Sequence, residues 1–182
     1  MNTCESELPR RQSIRLKGYD YSQPGAYFVT ICTQNRLCHF GEIAGGEVRL
    51  NAMGEMIERQ WNRVGAKFLA VQLDEHIVMP NHLHAIVLMV GADPCVCPDE
   101  LGAHSGAPLH RVVQWLKTMT TNQYIHGVRE LGWPPFHGRL WQRNYYERVI
   151  RDERELGQVR EYILNNPVNW DTDEENPECM VS

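Results

Sequence analysis

The stretch FLAVQLDEHIVMPNHLHAIVLMV, Phe68–Val90, holds two apolar runs rich in β-branched residues and separated by Pro80-Asn81. Such runs suit a pleated, half-buried surface and the Pro-Asn pair suits a tight reversal. The stretch therefore predicts two adjacent antiparallel strands, Phe68–Met79 and His82–Val90. On its N-terminal side, Ala52–Val64 carries Met53, Met56, Ile57, Trp61 and Val64 at helical spacing, with Asn51 as a cap and Gly54 as an internal weak point. Earlier still, Ala26–Thr33 is β-branched and aromatic and predicts a strand, and Gly41–Arg49, with Gly45-Gly46 inside it, predicts a small hairpin. On the C-terminal side, Leu109–Ile125 repeats Val112, Val113, Leu116, Met119 and Ile125 at helical intervals. Arg139–Ile150 reads as a further strand, and Asp152–Asn165 as a helix stopped by Pro167.

The order strand, helix, strand, strand, helix, strand, helix is a split βαβ pattern. It predicts an α+β fold with a ferredoxin-like core, a central antiparallel sheet and one extra C-terminal helix. A chain of 182 residues fits one domain with short appendages. Residues 1–18 read as a basic arm, 19–170 as the folded domain with a variable loop at 91–108, and 171–182 as an acidic tail. At 42% hydrophobic and 23% charged residues the composition is that of a globular chain. No apolar run approaches the roughly 18–20 residues that span a bilayer, and the first thirty residues lack a signal-peptide core. No membrane partner and a cytoplasmic location are expected.

The six cysteines are too scattered to serve as a disulfide framework in a chain of this size, so reduced thiols are expected. Cys95-Val-Cys97, with His104 and His110, invites a structural zinc site. The single residue between the cysteines matches zinc knuckles poorly, and the Gly- and Pro-rich surroundings read instead as a variable loop. The net charge of −5 argues against a polyanionic partner until it is located. Asp171, Asp173, Glu174, Glu175 and Glu178 supply all of it in the last twelve residues, so the body is neutral, with Arg10, Arg11, Arg15 and Lys17 forming a basic arm.

Within the central strands, His82-Leu83-His84 places both imidazoles on one face by period-two alternation. Two readings stand: a pair of histidines on a half-exposed face, or two ligands converging on a metal. The flanking Ile77, Val78, Ala85, Ile86 and Val87 favour a strand well inside the sheet, where polar rings need partners. His76 shares that face only if the Pro80-Asn81 turn keeps register, and it stays outside the candidate set. On the last helix, Tyr162 and Asn166 are four apart and so face the same way. Either Tyr162 packs in the core and Asn166 ends the helix before Pro167, or a phenol and a hard amide ligand suited to Mg²⁺ or Mn²⁺ are presented together.

The segments Tyr27-Phe-Val-Thr-Ile31, Met79-Pro-Asn-His-Leu-His84, Trp141-Gln-Arg-Asn-Tyr-Tyr146 and Tyr162-Ile-Leu-Asn-Asn-Pro167, in this order, resemble the HUH-type single-tyrosine transposases, above all the bacterial REP-associated tyrosine transposases. The resemblance runs from about Arg11 to Trp170. It implies a metal-dependent endonuclease and strand transferase that acts on single-stranded or hairpin DNA of palindromic elements through a 5′-phosphotyrosine. His82, His84 and Asn166 match the ligands of a divalent cation, Mg²⁺ or Mn²⁺, and Tyr162 matches the nucleophile, with Tyr145 and Tyr146 as rivals. Arg10, Arg11, Arg15, Lys17, Trp141 and Arg143 are the candidates to meet DNA. The chain is expected to be nucleoid-associated when bound, as a monomer or homodimer. The alternatives are a non-catalytic, domesticated binder of DNA hairpins and the structural zinc protein.

Overall fold

The computed structural model describes residues 24–90 and 109–177. The basic arm with Arg10, Arg11, Arg15 and Lys17, the loop with Cys95 and Cys97, and residues 178–182 lie outside the described residues. Elements follow in the order β1 (Gly25–Cys32), β2 (Gly41–Ala44), β3 (Glu47–Leu50), α1 (Ala52–Trp61), α2 (Val64–Lys67), β4 (Val71–Val78), β5 (His82–Met89), α3 (Leu109–Glu130), β6 (Tyr146–Ile150) and α4 (Glu153–Asn165). The four long strands form an antiparallel sheet in the order β4-β5-β1-β6, and β2 and β3 make a separate hairpin. This is the expected ferredoxin-like α+β core.

Alternation in the two central strands divides the interior into two layers. Tyr27, Val29 and Ile31 of β1 and Leu83, Ala85 and Val87 of β5 face α1 and α3, where they meet Ile57, Trp61, Val112, Leu116 and Tyr124 in the larger core. Phe28 and Ile86 face the other way, toward Leu156, Val159 and Ile163 of α4. Beyond that small apolar patch the same sheet face carries Thr30, Cys32, His82 and His84. The alternation that builds the core therefore leaves a polar end beside the C-terminus of α4.

Three local features depart from the sequence reading. Gly54 is a requirement rather than a weak point, because a Cβ there would lie 2.2 Å from the Phe40 carbonyl oxygen and 2.8 Å from Leu50. Asn51 caps α1 as expected, accepting from the N–H groups of Met53 and Gly54. The predicted strand Arg139–Ile150 is continuous only over Tyr146–Ile150, where it pairs with Ala26–Thr30, with a single earlier bridge of Trp141 to Thr33. Lys117 Nζ donates to the carbonyls of Gln142, Arg143 and Asn144, which ties up three successive acceptors that a ladder would have used. The helix predicted over Leu109–Ile125 continues to Glu130, its last turn passing so close to Trp133 that a Cβ on Gly127 would sit 2.2 Å from the ring.

An extra residue in β4, between Leu73 and His76, decides what that strand presents to each side. His76 stands opposite Ala85 and its ring lies 5.9 Å from that of Trp61, on the face away from His84. Asp74 faces α4, where its carboxylate takes a two-pronged contact from Arg160 at 2.8 and 2.5 Å.

Candidate metal centre and tyrosine site

His82 and His84 are both buried, with ring centroids 4.3 Å apart. Their orientation comes from the strands. Thr30 stands directly across from His84 in the ladder, and its Oγ1 lies 2.8 Å from His84 Nδ1. His82 Nδ1 lies 2.8 Å from Asn81 Oδ1. The Asn81 amide cannot be reversed, because its Nδ2 donates to the Arg36 and Glu175 carbonyls at 3.0 and 2.7 Å. Asn81 Oδ1 therefore accepts, His82 Nδ1 carries the proton, and the His82 Nε2 lone pair is left over. That Nε2 is buried without a hydrogen-bond partner, as is Asn166 Oδ1. Two buried, orphaned lone pairs are costly unless a cation takes them.

His82, His84 and Asp173 each bring one ligand atom, and the three atoms lie within 4.8 Å of one another. Asn166 is held at this group by its Nδ2, which donates to Asp173 Oδ2 at 2.6 Å, leaving its carbonyl oxygen for other work. The carboxylate is the residue the sequence reading missed. Asp173 sits in the stretch read as an acidic tail, yet it is buried, as is Asn176. A 3-10 turn, Trp170–Thr172, brings the Trp170 ring to 6.0 Å from that of His82. Arg36 then clamps the following segment, donating to the Glu174 carbonyl and pairing with Glu175 at 2.7 Å.

Tyr162 projects from α4 with its hydroxyl oxygen 3.4 Å from His84 Nε2 and its ring 5.3 Å from the imidazole. It is 47% exposed and lines a cavity of about 740 Å³ together with Thr30, His84, Asn166 and Asp173. Tyr146 is exposed against Phe28, and the Lys117 ammonium sits 5.5 Å from the Tyr145 ring. Of the three tyrosines, Tyr162 is the one in ring contact with His84. Trp141, a candidate for stacking on DNA, is instead buried, donating to Thr120 Oγ1 at 2.9 Å and packing on Phe40. Arg143 is exposed.

Electrostatics divide the groups sharply. Burial drives His82 down to about 3, against a smaller opposing pull from the Asn166 side chain, and drives His84 well below its ordinary value, with neighbouring His82 adding to the effect. Both rings are thus neutral near pH 7, the form that ligates a metal. The Tyr162 phenol is pushed up to about 12, first by burial and then by the carboxylates of Asp173, Glu175 and Glu174. Burial, with Glu175 next, pushes the Cys32 thiol far above the range where it would ionise. Two neutral imidazoles and the Asp173 carboxylate, at the edge of an acid-rich cavity, fit a divalent cation in their chemistry.

No family model matches the chain. An uncharacterised protein of Haemophilus influenzae is 35% identical over 176 residues, covering 92% of this chain and 93% of its own length. A second protein of that organism, provisionally described as a REP-associated tyrosine transposase, is 26% identical over 152 residues, or 82% of this chain and 73% of that protein. A solved REP-associated tyrosine transposase bound to a REP hairpin superposes with a TM-score of 0.57 at 18% identity, covering 88% of this chain and 74% of that one. That likeness is one of fold.

Proposed function

We propose that this chain belongs with the REP-associated tyrosine transposases, whose fold it shares, and that it nicks and rejoins single-stranded DNA at hairpin-forming elements, with Tyr162 as the nucleophile. The observation that carries this reading is the hydroxyl of Tyr162 at 3.4 Å from His84 Nε2, beside a cluster of metal-type ligands. The Tyr162 oxygen bonds to phosphorus as the bond from phosphorus to the 3′ oxygen breaks, and the proton lost by the phenol is matched by one taken up, through solvent, at the departing 3′ oxygen. Cleavage leaves a 5′-phosphotyrosine and a free 3′-hydroxyl, and joining is the reverse attack by a 3′-hydroxyl. The bond energy is kept in the ester, so no external energy source is needed.

His82, His84 and Asp173, with the Asn166 carbonyl oxygen, would hold a divalent cation, Mg²⁺ or Mn²⁺. Such an ion supplies Lewis acidity toward the phosphate and offsets the negative field that holds the Tyr162 phenol protonated. Asn81 and Thr30 fix the rotation of the two imidazoles. The apolar layer of Phe28, Val159 and Ile163 sets the height of α4 over the strands, and with it the position of the phenol. Among the described residues no helix is long and apolar enough to cross a membrane.

The test is single-turnover cleavage of a hairpin-bearing DNA strand with Mn²⁺, with Mg²⁺ and with chelator. Cleavage and a covalent protein–DNA adduct are expected with the metals and neither with chelator. Tight hairpin binding without an adduct under every condition would instead identify a non-catalytic hairpin binder.

A further inference from the structure

Arg36 stands in the turn after β1 with a left-handed backbone, φ 55°, directly after Asn35 at φ 57°. An asparagine enters that region readily. An arginine rarely does, and such outliers persist where the surroundings over-determine them. Here the turn is bonded to the reversal between β4 and β5: Thr33 N–H donates to the Asn81 carbonyl at 2.8 Å, and Phe40 N–H to the Pro80 carbonyl at 2.9 Å. The Arg36 carbonyl then accepts from Asn81 Nδ2 at 3.0 Å. Its guanidinium reaches the segment after α4, where Nη1 donates to the Glu174 carbonyl at 2.9 Å and Nε pairs with Glu175 at 2.7 Å.

Two routes run from these contacts to the metal-type ligands. On the first, Asn81 keeps its oxygen on His82 Nδ1 only while Nδ2 has its two acceptors. One is the carbonyl of Arg36 itself, and the other is the carbonyl of Glu175, the residue that the guanidinium holds. On the second, the Glu175 N–H donates to Asp173 Oδ1 at 2.6 Å while Asn166 Nδ2 donates to Oδ2 at 2.6 Å, so both carboxylate oxygens have fixed donors. His82 comes from β5 and Asp173 from beyond α4, and each is reached from Arg36 through one intervening residue. The Arg36 and Glu175 side chains are 24% and 22% exposed, so the pair keeps a fixed geometry that an open surface pair would not.

We propose that Arg36 is a positioning residue for the metal centre, which brings His82 and Asp173 into one ligand set by fixing Asn81 and Glu175 at the same time. The assignment rests on the reading of His82, His84, Asp173 and Asn166 as ligands of a divalent cation, and it deepens that reading. It concerns the ligand set and not the tyrosine, so it is separable from DNA cleavage. The role predicts a sign as well as a size. Acting as a charge alone, the guanidinium would repel a cation, and its removal would uncover Glu175 and tighten metal binding. Acting as a positioning group, its removal weakens metal binding.

The experiment titrates Mn²⁺ into the full chain by calorimetry, for wild type, Arg36→Gly and Arg36→Lys. Glycine keeps the carbonyl and suits the left-handed backbone, so the turn survives and only the guanidinium is lost. A loss of about 10–100-fold in Mn²⁺ affinity is expected for Arg36→Gly, the range found when outer partners of a metal site are removed. Arg36→Lys keeps the charge but replaces the planar fork by a single head, so a smaller loss of roughly three- to tenfold is expected, and this variant carries the test should the glycine protein unfold. Imidazole ¹⁵N spectra of the metal-free proteins give a readout that stability alone does not move: His82 protonated at Nδ1 in wild type, and at either nitrogen in Arg36→Gly. Mn²⁺ affinity equal to wild type or tighter, or an unchanged His82 tautomer, would each overturn the assignment. No Mn²⁺ binding by wild type would remove the metal centre and the assignment with it. Weakened Mn²⁺ binding by Arg36→Gly, in a protein that never forms a DNA adduct, would keep the assignment and sink the transferase. A DNA adduct in a protein whose Arg36→Gly variant binds Mn²⁺ like wild type would do the reverse.

Discussion

Asn81 shows how one buried amide can decide the chemistry of the group next to it. With both N–H bonds spent on fixed carbonyls, its oxygen sets the tautomer of His82 and turns the Nε2 lone pair toward Asp173 and Asn166. Outer partners of this kind are worth about 10–100-fold in metal affinity. Asn81→Ala is therefore expected to weaken Mn²⁺ binding by that factor in calorimetry while His82 and His84 stay in place; affinity equal to wild type would show that the tautomer is set elsewhere. His82 and His84 were legible because strand alternation is local, and the Tyr162–Asn166 pair because helical spacing is local. Asn81 read as a turn residue and Asp173 as one acid among several. Their roles depend on Arg36 and Glu175 meeting across more than a hundred residues of chain, for which no spacing rule exists.

Among the elements, α4 is the one on which the account turns, and it is lightly held. Leu156, Val159 and Ile163 are its buried apolar residues, and the Asp74–Arg160 pair fastens it to the bulge of β4. The guanidinium beside Asp74 holds that carboxyl below its usual range. Arg160 is 42% exposed, so solvent screens the pair and its use is in placement rather than stability. Arg160→Met should leave thermal unfolding and oligonucleotide binding nearly unchanged but slow single-turnover adduct formation about tenfold, since small displacements of reacting groups are costly. An unchanged rate would mean that the apolar layer alone positions Tyr162. Helix α1 makes the opposite case. Gly54→Ala forces a methyl against the Phe40 backbone and should destabilise the fold by about 1–3 kcal/mol, read from the chemical denaturation midpoint. The apolar periods of α1, α3 and α4 and the alternation of β1 and β5 were readable in sequence. The stretch before β6 is only partly strand: Trp141 makes a single antiparallel bridge opposite Thr33, its indole held by Thr120, and the Lys117 clamp on the next three carbonyls interrupts the ladder until Tyr146.

At the level of the whole molecule, a fold class inferred from element order proved sound because the ferredoxin-like pattern leaves few ways to bury two sheet faces. What element order does not reveal is that the acidic segment after α4 closes over the polar end of the sheet and completes the cluster. The same burial makes stability depend on pH. His82 and His84 are kept neutral in the fold but protonate freely in the unfolded chain, so protons favour unfolding below the ordinary histidine value. The metal-free protein should be at full stability above about pH 6.5 and should lose it as pH falls toward about 3. A melting temperature flat from pH 7 to 5 would contradict the buried, neutral assignment. The central claim, that Tyr162 makes the covalent link to DNA, is tested most directly by trapping the adduct with Mn²⁺, digesting it and mapping the nucleotide-bearing peptide by mass spectrometry. The account predicts the nucleotide on Tyr162 and no adduct from Tyr162→Phe; a nucleotide on Tyr145 or Tyr146, or an adduct that survives Tyr162→Phe, would contradict it.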